Sequence, residues 1–450
     1  MSSYTEEFES KQKPADYYAK LYEELERINE KFNAFNVLVK ATGNGMPFSV
    51  KDNICVRGIE TTASSKILKG YIPPFNATVV DRIIRTGRFS LIGKTNMDEF
   101  GFGSFGINCD KPAKNPLDEG RVPGGSSSGA AVATALLKYH VAIAESTGGS
   151  ISAPAAFCGV VGFTPTYSVL SRYGLIDYAN SLDKIGFMAR SADDIKIMLD
   201  ITKGLDKRDS TSSSKPIHRV KHNNLIIIKE LMDKVEDGIK SEFYKFTDKL
   251  KGLGYNIKTV DFRDIELSIP SYYLIAMSEA STNLAKFTGF KYGFKVEDFS
   301  KNYNDFFTEA RDKFGEEAKR RIILGTFIRS ASVRDKYYLK SLSIRRWMID
   351  KLSMLLKDAF IISPTMPILP PKIEDANRMT PVQNYASDIL TIPANLGGFP
   401  HISIPFSYSG ELPLSAQVIG SHFNDYGVIS FASDWEKNFK YKFKYNLGDL

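Results

Sequence analysis

Between Arg121 and Gly159 the chain reads RVPGGSSSGAAVATALLKYHVAIAESTGGSISAPAAFCG. Two glycine pairs run straight into serine, Gly124-Gly125-Ser126 and Gly148-Gly149-Ser150, and the serines lie 24 residues apart (150 − 126). The alanine-rich segment 130–139 predicts a helix, and Val141 to Ala144 is a short apolar run after it. Residues this small fill a core poorly. They let backbones approach closely, and consecutive glycines leave N–H groups free to face a ligand. One such loop reads as a serine-rich surface turn; two, joined by chain too apolar for a linker, read as an active site.

The chemistry of that site is narrowed by what is missing. A phosphate-binding loop needs Lys and then Ser/Thr after its last glycine, but Ala130 and Ala131 follow Gly129. Residues 125–129, Gly-Ser-Ser-Ser-Gly, fit the nucleophile-elbow pattern with Ser127 at the tip. That elbow needs a buried strand immediately before it, whereas 115–123 is a polar segment with two prolines. It also needs a histidine base. None of the five histidines (His140, His218, His222, His401, His422) sits in a stretch built around it.

A serine nucleophile without histidine needs another base, and lysine is the usual substitute. Lys51 stands at the end of Pro47-Phe48-Ser49-Val50, which reads as a short buried strand. Burial disfavours a charged amine and so helps it give up a proton.

Lys51 within PFSVKDN, Ser126 within PGGSSSG and Ser150 within TGGSISAPAAFCG resemble the three motifs of the amidase signature family. The steps of 75 residues (126 − 51) and then 24 suit it, and the likeness runs from about Leu25 to Phe431. The resemblance implies an α/β fold with a mixed central β-sheet flanked by helices on both faces. It implies Ser150 as nucleophile, Ser126 in a cis peptide as proton relay, and Lys51 as base. The N–H groups of Thr147, Gly148, Gly149 and Ser150 would form the oxyanion hole.

At 450 residues with 43% hydrophobic and 25% charged residues, a large core is available. No apolar run approaches the roughly 18–20 residues of a membrane span, and the amino terminus has neither an apolar signal core nor an arginine-rich presequence. A cytoplasmic protein without membrane contact is expected. Cys55, Cys109 and Cys158 show no metal-ligand spacing and, being three, no disulfide framework; no metal is expected, and Cys158 reads as a small packing residue. The net charge of +7 is spread along the chain and does not indicate nucleic-acid binding by itself.

The whole of 1–450 reads as one amidase domain. Residues 14–40 form an N-terminal helical segment, with Tyr17, Leu21, Leu25, Ile28 and Phe32 at helical spacing. Residues 45–203 form the core with the three motifs, including a helix over 77–85, a strand over 89–92 and a helix start at Ser191. The connection from Ala41 to Gly45 is short for the family. Residues 204–216 form a polar, serine-rich loop. Residues 217–450 complete the sheet and pocket: a strand over 225–228, a helix over 233–253, a strand over 255–260, mainly helix over 264–360, a strand over 360–363 and a last strand over 414–420.

The downstream half also resembles the glutaminase subunits of tRNA-dependent amidotransferases, in SEASTNLAKFTGFKYG, AKRRIILGTF, PTMP and YASDILTIPANLGGFP. That likeness implies glutamine as substrate, held by Tyr272, Arg321 and Asp388. A guanidinium fork and a carboxylate complement the α-carboxylate and α-ammonium of a free amino acid. It further implies ammonia supply to a B subunit, which uses ATP and Mg to amidate misacylated Glu-tRNA(Gln) or Asp-tRNA(Asn), with a small C-type subunit between. No cofactor is expected in this chain. Where most relatives carry aspartate before TGGS and arginine after the following Ser-Ile, this chain has Ser146 and Ser152, as loss of a mutual ion pair would leave it. The expected consequence falls on coupling to ammonia delivery, with hydrolysis intact. Two other readings stay open: a free-standing hydrolase of a small aryl or aliphatic amide, and a non-catalytic scaffold subunit.

Overall fold

A computed structural model describes residues 3–41, 43–439 and 441–444, so the short 41–45 connection is described except at residue 42. Eleven strands form one mixed sheet in the order β1-β3-β2-β4-β6-β5-β10-β11-β9-β7-β8. They are β1 (Phe35–Leu38), β2 (Met46–Lys51), β3 (Phe89–Thr95), β4 (Val141–Ser146), β5 (Val161–Thr164), β6 (Lys184–Ala189), β7 (Asn224–Ile228), β8 (Asn256–Val260), β9 (Phe360–Pro364), β10 (His401–Ser409) and β11 (Leu412–Ile419). Every residue of β2, β4, β6 and β11 is buried. Central strands covered on both faces carry such continuous apolar runs, which is why period-two alternation is absent from VAIA and MPFSV.

The first half of the chain supplies β1 to β6 and the second half β7 to β11, and the halves join where β5 pairs antiparallel with β10, His401 opposite Thr164. The polar loop 204–216 therefore links two halves of one sheet. It is also anchored: Asp206 accepts from Ser171 Oγ at 2.8 Å and from Thr78, and Asp209 accepts from the Arg172 N–H at 2.7 Å.

Several expected elements form with modest shifts. The first long helix is Tyr17–Phe32, with all five spaced apolar residues buried. Helices also form over Thr78–Ile84 and Ser128–Leu136, and Ser191 caps Ala192–Thr202 by accepting from the Asp194 N–H. The single helix expected over 233–253 divides into Lys229–Met232 and Asp237–Gly252. The break falls where the Glu236 N–H bonds outward to Pro367 O, starting a new helix instead of continuing the old one. The helix Tyr4–Ser10 is held at its N-terminus by Asp194, which accepts from Thr5 N at 2.8 Å.

What places the site is the parallel pairing of β2 with β4, Val50 opposite Ile143. Their carboxyl ends bring Lys51 beside Glu145. Against that end pack the helices Ser268–Asn283 and Glu316–Ile328. These two approach closely because residue 325 is glycine: a Cβ there would lie 2.6 Å from the Met277 carbonyl carbon.

Candidate functional site

The two serine loops stack on one another. The Ser127 N–H donates to Ser150 O at 3.2 Å, and Gly124 (φ 83°) lies so close to Pro154 that a Cβ would be 2.7 Å from its Cα. Small residues recur here because backbone packs on backbone. The Gly125–Ser126 peptide is cis, as the family likeness implied, and the Asp98 N–H donates to Ser126 O at 3.1 Å. Asp98 accepts in turn from Asn108 N at 2.7 Å and Gly106 N at 3.1 Å, and burial pushes its carboxyl up to about 7.

Lys51 is fully buried, not emerging from its strand. Its Nζ donates to Ser126 Oγ at 2.7 Å, to Glu145 O at 3.0 Å and to Glu145 Oε2 at 2.9 Å. Three acceptors match the three hydrogens of an ammonium group. Ser126 is fully buried and Ser150 nearly so. Among the described residues no protein acceptor faces the N–H groups of Gly148, Gly149 or Ser150. They stand at the end of β4, just before the helix Ser152–Cys158, ready to stabilise an oxyanion. Thr147 has a further role: its hydroxyl lies 2.8 Å from Glu145 Oε1 and 2.9 Å from Asp183 Oδ1.

Ser127 is excluded as an elbow nucleophile, since its buried hydroxyl donates to Glu145 O at 3.1 Å. Three histidines are occupied elsewhere: His140 lies between Thr134 and Ser49, His401 against Asn395 and Phe399 O, and His422 on Gly397 O. Ser146 donates to Gly148 O at 2.8 Å and Ser152 Oγ has no partner among the described residues, so each fits its buried place without a charge. Cys158 is buried, its Sγ 3.4 Å from Pro123 O, as a packing residue should be.

The three expected glutamine-binding residues converge on the same end of the sheet, all buried. A Cβ on Gly148 would sit 2.7 Å from the Tyr272 hydroxyl, and one on Gly149 2.6 Å from Thr391 Oγ1 and 3.5 Å from Asp388 Oδ1. The glycine pair is thus required by what lies over it. Asp388 Oδ2 accepts from Tyr273 OH and Ser104 Oγ, both at 2.8 Å, while Oδ1 has no partner among the described residues. Burial pushes the Asp388 carboxyl up to about 6, against these two hydrogen bonds. Arg321 is not a solvated surface charge. Its guanidinium lies 5.0 Å from the Phe102 ring centre and 5.6 Å from those of Tyr273 and Tyr385. Nε donates to Glu317 Oε1 at 2.8 Å, and Nη1 donates to the Tyr178 hydroxyl.

Sequence reasoning missed Glu145, Asp183, Tyr273, Tyr178 and Glu317. Glu145 carried a readable signal: an acidic residue ending an apolar strand, as Lys51 is a basic one. The aromatic box around Arg321 had none, because its members come from four distant segments.

The amidase family model matches residues 3–429. The A subunit of glutamyl-tRNA(Gln) amidotransferase from Sulfolobus acidocaldarius is 40% identical, with 96% of each chain covered. Its counterpart from Methanosarcina acetivorans is 40% identical, covering 89% of this chain and 86% of that one. The crystal structure of the Thermotoga maritima counterpart superposes with a TM-score of 0.82 at 33% identity, over 98% of this chain and 95% of the other. Among the described residues no helix is long and apolar enough to cross a membrane. The chain belongs to the amidase family, within the branch that holds these glutamyl-tRNA(Gln) amidotransferase proteins.

Proposed function

We propose that this chain is the glutamine-hydrolysing subunit of a tRNA-dependent amidotransferase. Ser150 Oγ attacks the side-chain amide of glutamine as Ser126 withdraws its proton and passes it to Lys51. The tetrahedral oxyanion lies against the N–H groups of the 147–150 turn. Lys51 returns its proton through Ser126 to the leaving nitrogen, ammonia departs, and water then cleaves the acyl-enzyme by the same route in reverse.

The observation that carries the substrate assignment is the buried, unpartnered Oδ1 of Asp388, facing the turn that bears Ser150. An unpaired buried carboxylate oxygen is costly unless a ligand completes it. An α-ammonium group does so, with Arg321 available for the α-carboxylate and Tyr272 lining the same wall. A small aryl or neutral aliphatic amide would leave both charges unmet. The intact Lys51–Ser126 contact speaks against a scaffold role.

The partners follow from the relatives' names and from the lack of any nucleotide-binding motif in this chain. A B-type subunit, with a C-type subunit, binds the misacylated tRNA and consumes ATP and Mg, in the cytoplasm. The test is ammonia release from glutamine by the purified chain, alone and with its co-expressed partner subunits, ATP and Glu-tRNA(Gln) or Asp-tRNA(Asn). Release that increases with the partners and one of the charged tRNAs is expected. No release under any combination overturns the proposal.

A further inference from the structure

The hydroxyl of Thr147 has one hydrogen, yet it lies within hydrogen-bond distance of two buried carboxylates, Glu145 Oε1 at 2.8 Å and Asp183 Oδ1 at 2.9 Å. It can donate to only one of them. The second contact is a hydrogen bond only if the other carboxyl carries a proton and donates to Thr147, so Glu145 and Asp183 share one proton through this hydroxyl. The far end of Glu145 is the ion partner of Lys51, with Asn53 Nδ2 3.1 Å from the same Oε2. The far end of Asp183 accepts from the N–H groups of Tyr178 and Ala179, both at 2.9 Å.

We propose that Glu145, Thr147 and Asp183 form a proton relay that sets the charge beside Lys51 and so decides when Lys51 can act as a base; this rests on the reading of Lys51 as the base. In the resting form Asp183 holds the shared proton and donates to Thr147, Thr147 donates to Glu145, and the Glu145 carboxylate pairs with the Lys51 ammonium. In the active form both hydrogens move one place along. The Thr147 O–H breaks as Glu145 Oε1–H forms, and the Asp183 O–H breaks as a new Thr147 O–H forms. The negative charge now sits on Asp183, away from Lys51. One Lys51 N–H bond then breaks, its proton leaves through Ser126 to water, and the lone pair faces the Ser126 hydroxyl.

Burial first, and the Glu145 charge second, raise the Asp183 carboxyl well above the ordinary range, which suits it as the resting holder of the proton. The other charges acting on this group are Asp98, whose carboxyl interacts with Lys51, and Arg172, which acts on Asp183. The strand geometry singles out position 145. Successive residues face opposite sides, and Ser146 turns away from Lys51, toward Gly148 O and Asn395 Oδ1.

The test is the pH profile of kcat at saturating glutamine, for the full chain with its partner subunits. Glu145→Gln leaves no anion beside Lys51, so the cationic form is disfavoured and the acid limb moves to lower pH. Asp183→Asn keeps a donor toward Thr147 but removes the relayed proton. Glu145 then stays anionic, Lys51 keeps its proton longer, and the limb moves to higher pH. Each shift is expected to be about one pH unit or more, the usual effect of a close opposite charge. In the double variant the alkaline shift vanishes, because Asp183 acts only through Glu145. Thr147→Val should behave as Asp183→Asn, and Thr147→Ser should restore the wild-type profile. Superimposable profiles, shifts of both single variants in one direction, or an alkaline shift that persists in the double variant overturn the relay. Lys51→Arg separates the levels. If it is inactive while the limbs do not move, the relay alone fails; if it retains substantial activity, the base reading fails with it.

Discussion

The charged groups of the substrate end act one residue at a time. Arg321 is desolvated inside an aromatic box, and removing one partner of a buried charge pair costs roughly 2–5 kcal/mol, about 30-fold or more in affinity. Arg321→Ala is therefore expected to raise KM for glutamine by that factor and to leave KM for a small neutral amide nearly unchanged. Steady-state kinetics on both substrates checks it, and equal effects would remove glutamine from the account. Asp388 adds a pH signature. Its carboxyl is pushed up to about 6 by burial, and an α-ammonium binds only the ionised form. Above pH 6 no proton is displaced on binding; below it each bound glutamine must expel one. KM for glutamine should therefore rise up to about tenfold per pH unit as pH falls below 6, and Asp388→Asn should raise KM and flatten that dependence.

The elements of the site were legible where local signals sufficed. The small residues around Ser126 and Ser150, and a lysine ending an apolar run, pointed to stacked loops and a buried base. The strands β5 and β6 and the edge strand β1 were not singled out, because buried strands of four to six residues look like any short apolar segment. Buried ion pairs were equally invisible, since nothing in sequence distinguishes them from surface charge. Lys94 on β3 is one: fully buried, it donates to Asp52 Oδ1 at 3.1 Å and to Thr61 Oγ1 at 2.7 Å. Asp52 Oδ2 in turn holds Asn36 and Thr62, fixing the loop that follows Lys51. Lys94→Met leaves Asp52 as an uncompensated buried charge and should cost about 3–5 kcal/mol of stability. Denaturant unfolding measures it; a loss below about 1 kcal/mol would mean that water or a shifted side chain compensates Asp52.

Across the whole molecule, the resemblance of the motifs carried the fold class, but the strand order came only from the structure. The polar segment 204–216 reads in sequence as a seam, and the sheet runs on past it. The two halves meet along β5 and β10, and the helix Asp425–Asn438 of the second half reaches the first, where Asp425 accepts from Thr166 N and Oγ1, each at 2.8 Å. Residues 214–216 are exposed. A protease site placed there and cut should thus leave the two fragments co-eluting at the size of the intact chain, with glutaminase activity retained. Separation of the fragments without denaturant would show that the junction does not hold the halves together.

Chemistry at Ser150 is tested most directly by covalent trapping. The chain, with its partner subunits, is treated with an electrophilic glutamine analogue, digested, and the modified peptide identified by mass spectrometry. One adduct per chain on Ser150 is expected, blocked by excess glutamine and absent in Lys51→Ala. An adduct on Ser127, or labelling that survives Ser150→Ala, would contradict it.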